Sequence, residues 1–142
     1  MKPILLVEDN SDDIFFHKMA CQRTGINNPV SVVTDGQAAI DYLSGNGEYA
    51  DRSRHPFPRI VFLDINLPKR NGHEVLQWAR SQPGLKVLPI VMLTTSDDPT
   101  DIARAYQLGA TSYSLKQPNV AKFGETIHII LKYWFELTLM PR

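Results

Sequence analysis

VFLDINLPKRNG, residues 61–72, sets a run of strand-forming side chains directly against an aspartate. Ile60, Val61, Phe62 and Leu63 read as a buried strand, and Asp64 stands where that strand meets a loop shaped by Pro68 and Gly72. A charge beside a hydrophobic core is costly unless it is paired, metal-bound or only partly buried. Asp64 therefore has partners or a task.

Working outward, Arg59 to Leu63 is one of five short apolar runs, with Pro3 to Val7, Val30 to Thr34, Pro89 to Leu93 and Ser112 to Leu115. Helix-like segments separate them. Ser11 is placed to cap a helix from Asp12 to about Thr24, with Asp12 and Asp13 in its positive first turn. Gly72 opens another through Arg80, Asp98 and Pro99 open one that Gly109 ends, and a last helix runs from residue 119 to about 138. Strands apolar on both faces and separated by helices imply a parallel sheet covered on both sides. The reading is α/β: a (βα)5 doubly wound, five-stranded parallel sheet in one domain, 1–142, with 119–142 an extended C-terminal helix and tail. The stretch GNGEYADRSRHPFP, 45–58, exceeds a minimal connection and is expected to be mobile or to dock something.

Fifteen basic residues balance fifteen acidic ones without a long run of either sign. Nothing resembles a nucleic-acid stripe or a polybasic membrane anchor, so the expected partners are proteins or small ions. The start, MKPILLVEDNSDD, lacks the features of a secretory signal, and no apolar stretch reaches the roughly 20 residues that span a bilayer. The expected location is the cytoplasm. The single cysteine, Cys21, reads as a small core hydrophobe. His17, His55, His73 and His128 lack zinc-ligand spacing, and Trp78 and Tyr106 read as packing or surface.

In an open α/β sheet, ligands bind at the carboxyl ends of the strands. There this sequence places Glu8 and Asp9, Asp64, Thr94 and Thr95, and Lys116. Three crowded acids repel, and a hard divalent cation such as Mg²⁺ relieves them. In such a site Asp64 can face the metal and still offer an oxygen to phosphorus, as carboxylate nucleophiles do. Lys116 would offset charge on the phosphoryl oxygens and the Thr94 hydroxyl would donate to them. Singly, each residue reads equally well as a loop acid, a helix cap or a solvated lysine. Together, at four strand ends, they point to phosphoryl chemistry.

The segments ILLVEDN (4–10), FLDINLPKRNG (62–72), PIVMLTTS (89–96) and GATSYSLK (109–116) resemble response-regulator receiver domains, which have a flavodoxin-like fold. The resemblance implies Asp64 as phosphoacceptor and Glu8 and Asp9 as metal-site acids. It adds the backbone carbonyl of Asn66 to the Mg²⁺ ligands, and makes Thr94, beside Thr95, the switch hydroxyl. Tyr113 becomes the switch aromatic and Lys116 the phosphate-binding lysine. The GNGEYADR loop, LTTS after the fourth strand and the late YW look like the single-domain regulators paired with phytochrome-type histidine kinases. A sensor histidine kinase is thus the implied partner, and the surface of helix 4, strand 5 and helix 5 the implied output. One departure concerns how Lys116 is aimed. The family joins its lysine to a proline, commonly through a cis bond, whereas here Lys116 and Gln117 precede Pro118. A cis bond before a non-proline residue costs about 2.5 to 4 kcal/mol.

Two apolar surfaces remain. Ile14, Phe15 and Phe16 are consecutive on helix 1 and sweep too wide an arc for one core face, so at least one is expected to be exposed beside the rim. In receivers that face meets the kinase. On helix 5, Val120, Phe123, Ile127, Ile130 and Trp134 recur as a sheet-facing stripe. Ile129, Tyr133, Leu137 and Met140 then point outward, on a helix whose end would project, and a homodimer through them is expected. The competing function is a Mg-dependent aspartyl phosphohydrolase acting on an external substrate. Such enzymes place an acid two residues after the nucleophile, where this chain has Asn66. A flavin domain on the same sheet would need a phosphate-cradling first loop, and acidic EDNSDD repels phosphate.

Overall fold

The protein is described here by a computed structural model covering residues 1–141. Its strands are β1 (Ile4–Val7), β2 (Val30–Val33), β3 (Ile60–Leu63), β4 (Ile90–Thr94) and β5 (Ser112–Leu115). They form one parallel sheet in the order β2-β1-β3-β4-β5, the expected doubly wound arrangement. The helices are α1 (Ser11–Arg23), α2 (Gly36–Ser44), α3 (Gly72–Ser81), α4 (Pro99–Gln107) and α5 (Val120–Lys132). Pairing is in step across the sheet: Val7 lies beside Leu63, Leu63 beside Met92, and Met92 beside Tyr113. The strands therefore deliver their last residues to one rim.

Alternation along each strand divides the apolar residues between two layers. Leu5, Val7, Val61, Leu63, Ile90 and Met92 face α2, α3 and α4. Ile4, Leu6, Ile60, Phe62, Val91 and Leu93 face α1 and α5. Each fully buried side chain of this size stabilises the fold by about 1.5–3 kcal/mol, so neither layer tolerates a one-residue slip in register.

Helix starts are fixed by side-chain caps. For α1 the cap is Asn10, not Ser11 as expected: its extended backbone lets Oδ1 accept from the Asp13 N–H at 3.0 Å, and Ser11 is already helical. Asn71 and Glu74 cap α3 reciprocally, at 2.9 and 3.2 Å. The 45–58 segment folds back on α2. Arg52 donates to the carbonyls of Tyr42 and Leu43 at 2.7 and 3.0 Å, and the Tyr42 hydroxyl donates to the Pro56 carbonyl at 2.8 Å. Those bonds tie the segment to the end of α2, which leads away from the rim.

The C-terminal region departs most from expectation. After Lys132 the helix widens into a π turn, Tyr133–Leu137, and the chain then becomes extended at Thr138. Arg59, just before β3, holds that turn down by donating to the Trp134 carbonyl at 2.8 Å and lying over the Phe135 ring. The helix end is thus stapled to the sheet instead of projecting. The sheet-facing stripe is Phe123, Ile127 and Leu131, with Ile130 and Trp134 partly buried against the same layer as expected, while Val120 is 41% exposed. Ile129, Tyr133 and Leu137 do point outward, at 67, 48 and 66% exposure. Met140 does not join them, because the extended tail carries it into a cleft of about 190 Å³ with Lys2, Phe57 and Leu88.

Candidate functional site

Asp64 leaves β3 only 7% exposed, and the loop after it is compact. The Ile65 N–H donates to Asp64 Oδ1 at 2.7 Å, and the Gly72 N–H donates to the Ile65 carbonyl at 2.8 Å. Gly72 packs so closely that a Cβ there would stand 2.2 Å from the Asp64 carbonyl oxygen, so no other residue fits. Lys69 adopts a left-handed φ of 65°, which turns the chain back toward α3.

Glu8 follows β1 and is 2% exposed; its Oε2 accepts from the Asp9 and Asn10 N–H groups, each at 3.1 Å. Asp9 beside it is exposed. Carboxylate oxygens of Glu8, Asp9 and Asp64 all lie within 4.8 Å of one another. Hard oxygen donors at this density are the chemistry a small divalent cation takes, so these residues fit a metal of the Mg²⁺ class. Asn66 is exposed on the loop, and among the described residues no backbone hydrogen bond takes its carbonyl.

Lys116 reaches the same place from the end of β5 along a trans chain; no cis peptide occurs among the described residues. Its ammonium donates to Asp64 Oδ2 at 3.0 Å and to Asp13 Oδ2 at 2.9 Å, and pairs closely with Glu8 Oε1. Burial alone would lower its pKa, but the three carboxylates outweigh that and hold it above the ordinary lysine range. Burial pushes the Glu8 carboxyl up, Lys116 draws it back, and the Asp64 charge raises it again.

Thr94 ends β4 fully buried, with its hydroxyl accepting from the Ser96 N–H at 3.4 Å. Thr95, grouped with it by sequence, is exposed and turned to solvent. Tyr113 on β5 is half-buried and donates its hydroxyl to the Ser96 carbonyl at 2.8 Å. The end of β4 and the loop after it thus carry a buried hydroxyl and the anchor of the aromatic. Ser96 also donates to Asp101 Oδ2 at 2.7 Å, and Asp101 meets His73 of α3 at 3.4 Å.

Asp13 and Ser96 escaped sequence reading. Asp13 looked like a first-turn charge only, yet it lies one turn before His17, and His17, Ala20 and Cys21 form the buried stripe of α1. That stripe was the available signal. His17 packs edge-on against Phe62 and Phe123, and burial holds its pKa down to about 3. Cys21 is buried as expected, its thiol pushed up to about 12. Of the α1 triplet, Phe15 and Phe16 are 61 and 36% exposed and meet edge-on, while Ile14 packs inward. No helix among the described residues is long and apolar enough to cross a membrane.

Comparison with known proteins agrees with this geometry. The chain is 34% identical over 140 residues to response regulator Rcp1 of Synechocystis sp., covering 99% of this chain and 93% of that protein. It is 39% identical over 138 residues to the probable methanogenesis regulatory protein FilR2 of Methanothrix harundinacea, covering 97% and 86%. The phosphorylated cyanobacterial phytochrome response regulator RcpA superposes with a TM-score of 0.92 at 36% identity, over 99% of both chains. The Mn²⁺-bound form of Rcp1 gives 0.90 at 34% identity over the whole of both. The response regulator receiver domain family matches residues 4–128. With the fold, the acid rim and these likenesses in agreement, the chain belongs to that family and is a response regulator of two-component signalling.

Proposed function

We propose that Asp64 accepts a phosphoryl group from a sensor histidine kinase and that the resulting charge switches the α4, β5 and α5 surface. The observation that carries this reading is the Lys116 ammonium held among Glu8, Asp13 and Asp64, with the Asp9 carboxylate at the same rim. An Asp64 oxygen attacks phosphorus, the bond from phosphorus to the donor nitrogen breaks, and its electron pair leaves with the histidine ring. Lys116 meets the charge on the phosphoryl oxygens, and the Thr94 hydroxyl turns from its own loop to donate to them. Moving Thr94 loosens the Ser96 segment on which Tyr113 is anchored, biasing a two-state surface. Asp9, Glu8, Asp64 and the Asn66 carbonyl would hold Mg²⁺, which when bound supplies charge neutralisation at the transferred group. The Mn²⁺ in the Rcp1 structure supports a divalent ion here.

A phytochrome-type kinase is the partner this reading favours, supported by the likeness to RcpA and Rcp1. Its docking surface would be the exposed Phe15 and Phe16 with Ile14 behind them. The pair would meet in the cytoplasm, where a sensor kinase draws on ATP. Incubation with Mg²⁺ and a small phosphodonor, read by intact mass, tests the function. One retained phosphate supports the switch. Continuous release of product would favour the phosphohydrolase.

The same reading includes a homodimer through Ile129, Tyr133 and Leu137, three exposed apolar side chains at the end of α5 and in the π turn after it. Light scattering at micromolar concentration should give twice the 16.1 kDa chain mass, and Tyr133→Glu should return the monomer. A monomeric parent, with and without phosphodonor, would rule the pair out.

A further inference from the structure

An ammonium has three N–H donors and no more. In Lys116 all three are taken, by Glu8, Asp13 and Asp64. A phosphoryl group on Asp64 brings three strong acceptor oxygens to where one carboxylate oxygen stood, so the ammonium must give up a partner to meet them. The three partners differ in how readily they leave. Glu8 is 2% exposed and its other oxygen is fixed by two backbone N–H groups. Asp64 is 7% exposed and carries the phosphoryl itself. The Asp13 side chain is 37% exposed, and Lys116 is its carboxylate's one hydrogen-bonding side chain among the described residues. Released, Asp13 passes into water at little cost, whereas a released Glu8 would be a buried, unpaired anion.

We infer that Asp13 is a positioning residue, which occupies one of the three Lys116 donors until the phosphoryl group arrives to displace it. The inference rests on Asp64 being the phosphoacceptor. Asp13 thus opposes phosphorylation by the strength of one half-exposed ion pair. It also ties the site to the first turn of α1, beside Phe15 and Phe16, so the side chain set free on phosphorylation lies on the surface read as the kinase's.

Asp12 supplies the control. It is the neighbouring acid in the same first turn, exposed and without a bond to Lys116, so Asp12→Ala removes the same charge and the same helix-end contribution. Phosphorylation by acetyl phosphate at saturating Mg²⁺ is to be followed by mass across donor concentrations. Asp13→Ala should raise the saturating rate about fivefold over Asp12→Ala, the size of a partly exposed ion pair, with the half-saturating donor concentration equal in the two. The affinity for beryllofluoride, read by fluorine NMR without turnover, should rise by the same factor. The urea midpoint of Asp13→Ala should fall below that of Asp12→Ala by no more than one partly exposed ion pair, with the slopes of the two transitions equal, which separates the effect from loss of structure. Equal rates in the two variants, or a slower Asp13→Ala, would overturn the inference while leaving Asp64 in its role. A parent that takes up no phosphate would instead overturn the reading beneath it.

Discussion

Asp64→Asn is expected to abolish covalent phosphorylation while leaving the fold intact. The variant keeps the shape of the side chain, and the Ile65 N–H that now bonds Oδ1 at 2.7 Å can still find a carbonyl oxygen. What it loses is the anionic oxygen that attacks phosphorus, and an uncharged amide is no nucleophile at neutral pH. Neither neighbouring acid can substitute. Glu8 has one oxygen held by two N–H groups and the other by Lys116, and Asp9 stands outside on the exposed edge. Stability should not fall with activity: the variant gives up the Asp64 pairing with Lys116, but Lys116 keeps Glu8 and Asp13, and losing the Asp64 charge relieves the repulsion that raises the Glu8 carboxyl. With Mg²⁺ and a small phosphodonor, intact mass should show no added phosphate, and the urea midpoint should equal or exceed the parent's. Labelling of the variant at the parent's rate would remove Asp64 from the mechanism.

The site was legible in the sequence where backbone register alone determines position. Glu8, Asp64, Thr94 and Lys116 each sit at or next to the last residue of a strand, with Asp9 one residue further on, and in-step parallel strands must deliver such residues to one rim. The strand bounds came within a residue for the same reason: four-residue apolar runs between helices leave little freedom. Legibility ended where position depends on side-chain reach. Asp13 enters the site only because a lysine from the far edge strand, 103 residues on, extends to it. Ser96 matters through its backbone carbonyl, which sequence does not mark. The C-terminal region was misread for a third reason. Helical spacing was continued past Lys132 and placed Tyr133, Trp134 and Leu137 on the expected sides, but the chain turns extended at Thr138 and takes Met140 off the helix, and Arg59 fixes the π turn from a segment 75 residues earlier.

Lys116→Met should cost the most stability of any single change at the rim, and its cost should depend on pH. The substitution keeps the volume of the aliphatic stem and removes the one cation that, among the described residues, reaches Glu8 and Asp64, both nearly inaccessible to water. Breaking a buried pair by deleting one partner destabilises by about 3 kcal/mol or more, since the remaining charge stays unpaired. In the parent, the Lys116 pKa is raised on folding, so its contribution is fully present below the unfolded lysine value, about 10.4, and is lost as pH climbs through the folded value. The parent should therefore hold its urea midpoint across neutral pH as far as this group is concerned, and weaken only in alkali. The variant reverses the picture. Without Lys116, Glu8 loses the strongest influence lowering its pKa, and burial and Asp64 drive it further up. A carboxyl raised on folding stabilises below its unfolded value, about 4.3, and that stability drains away as pH rises through the folded value. Urea midpoints for the variant should accordingly be higher at pH 5 than at pH 7.5, and millimolar Mg²⁺ should restore part of the loss at pH 7.5 by standing in for the missing charge. A variant with the parent's midpoint at pH 7.5, or with no difference between the two pH values, would mean that Lys116 does not neutralise the acids it touches.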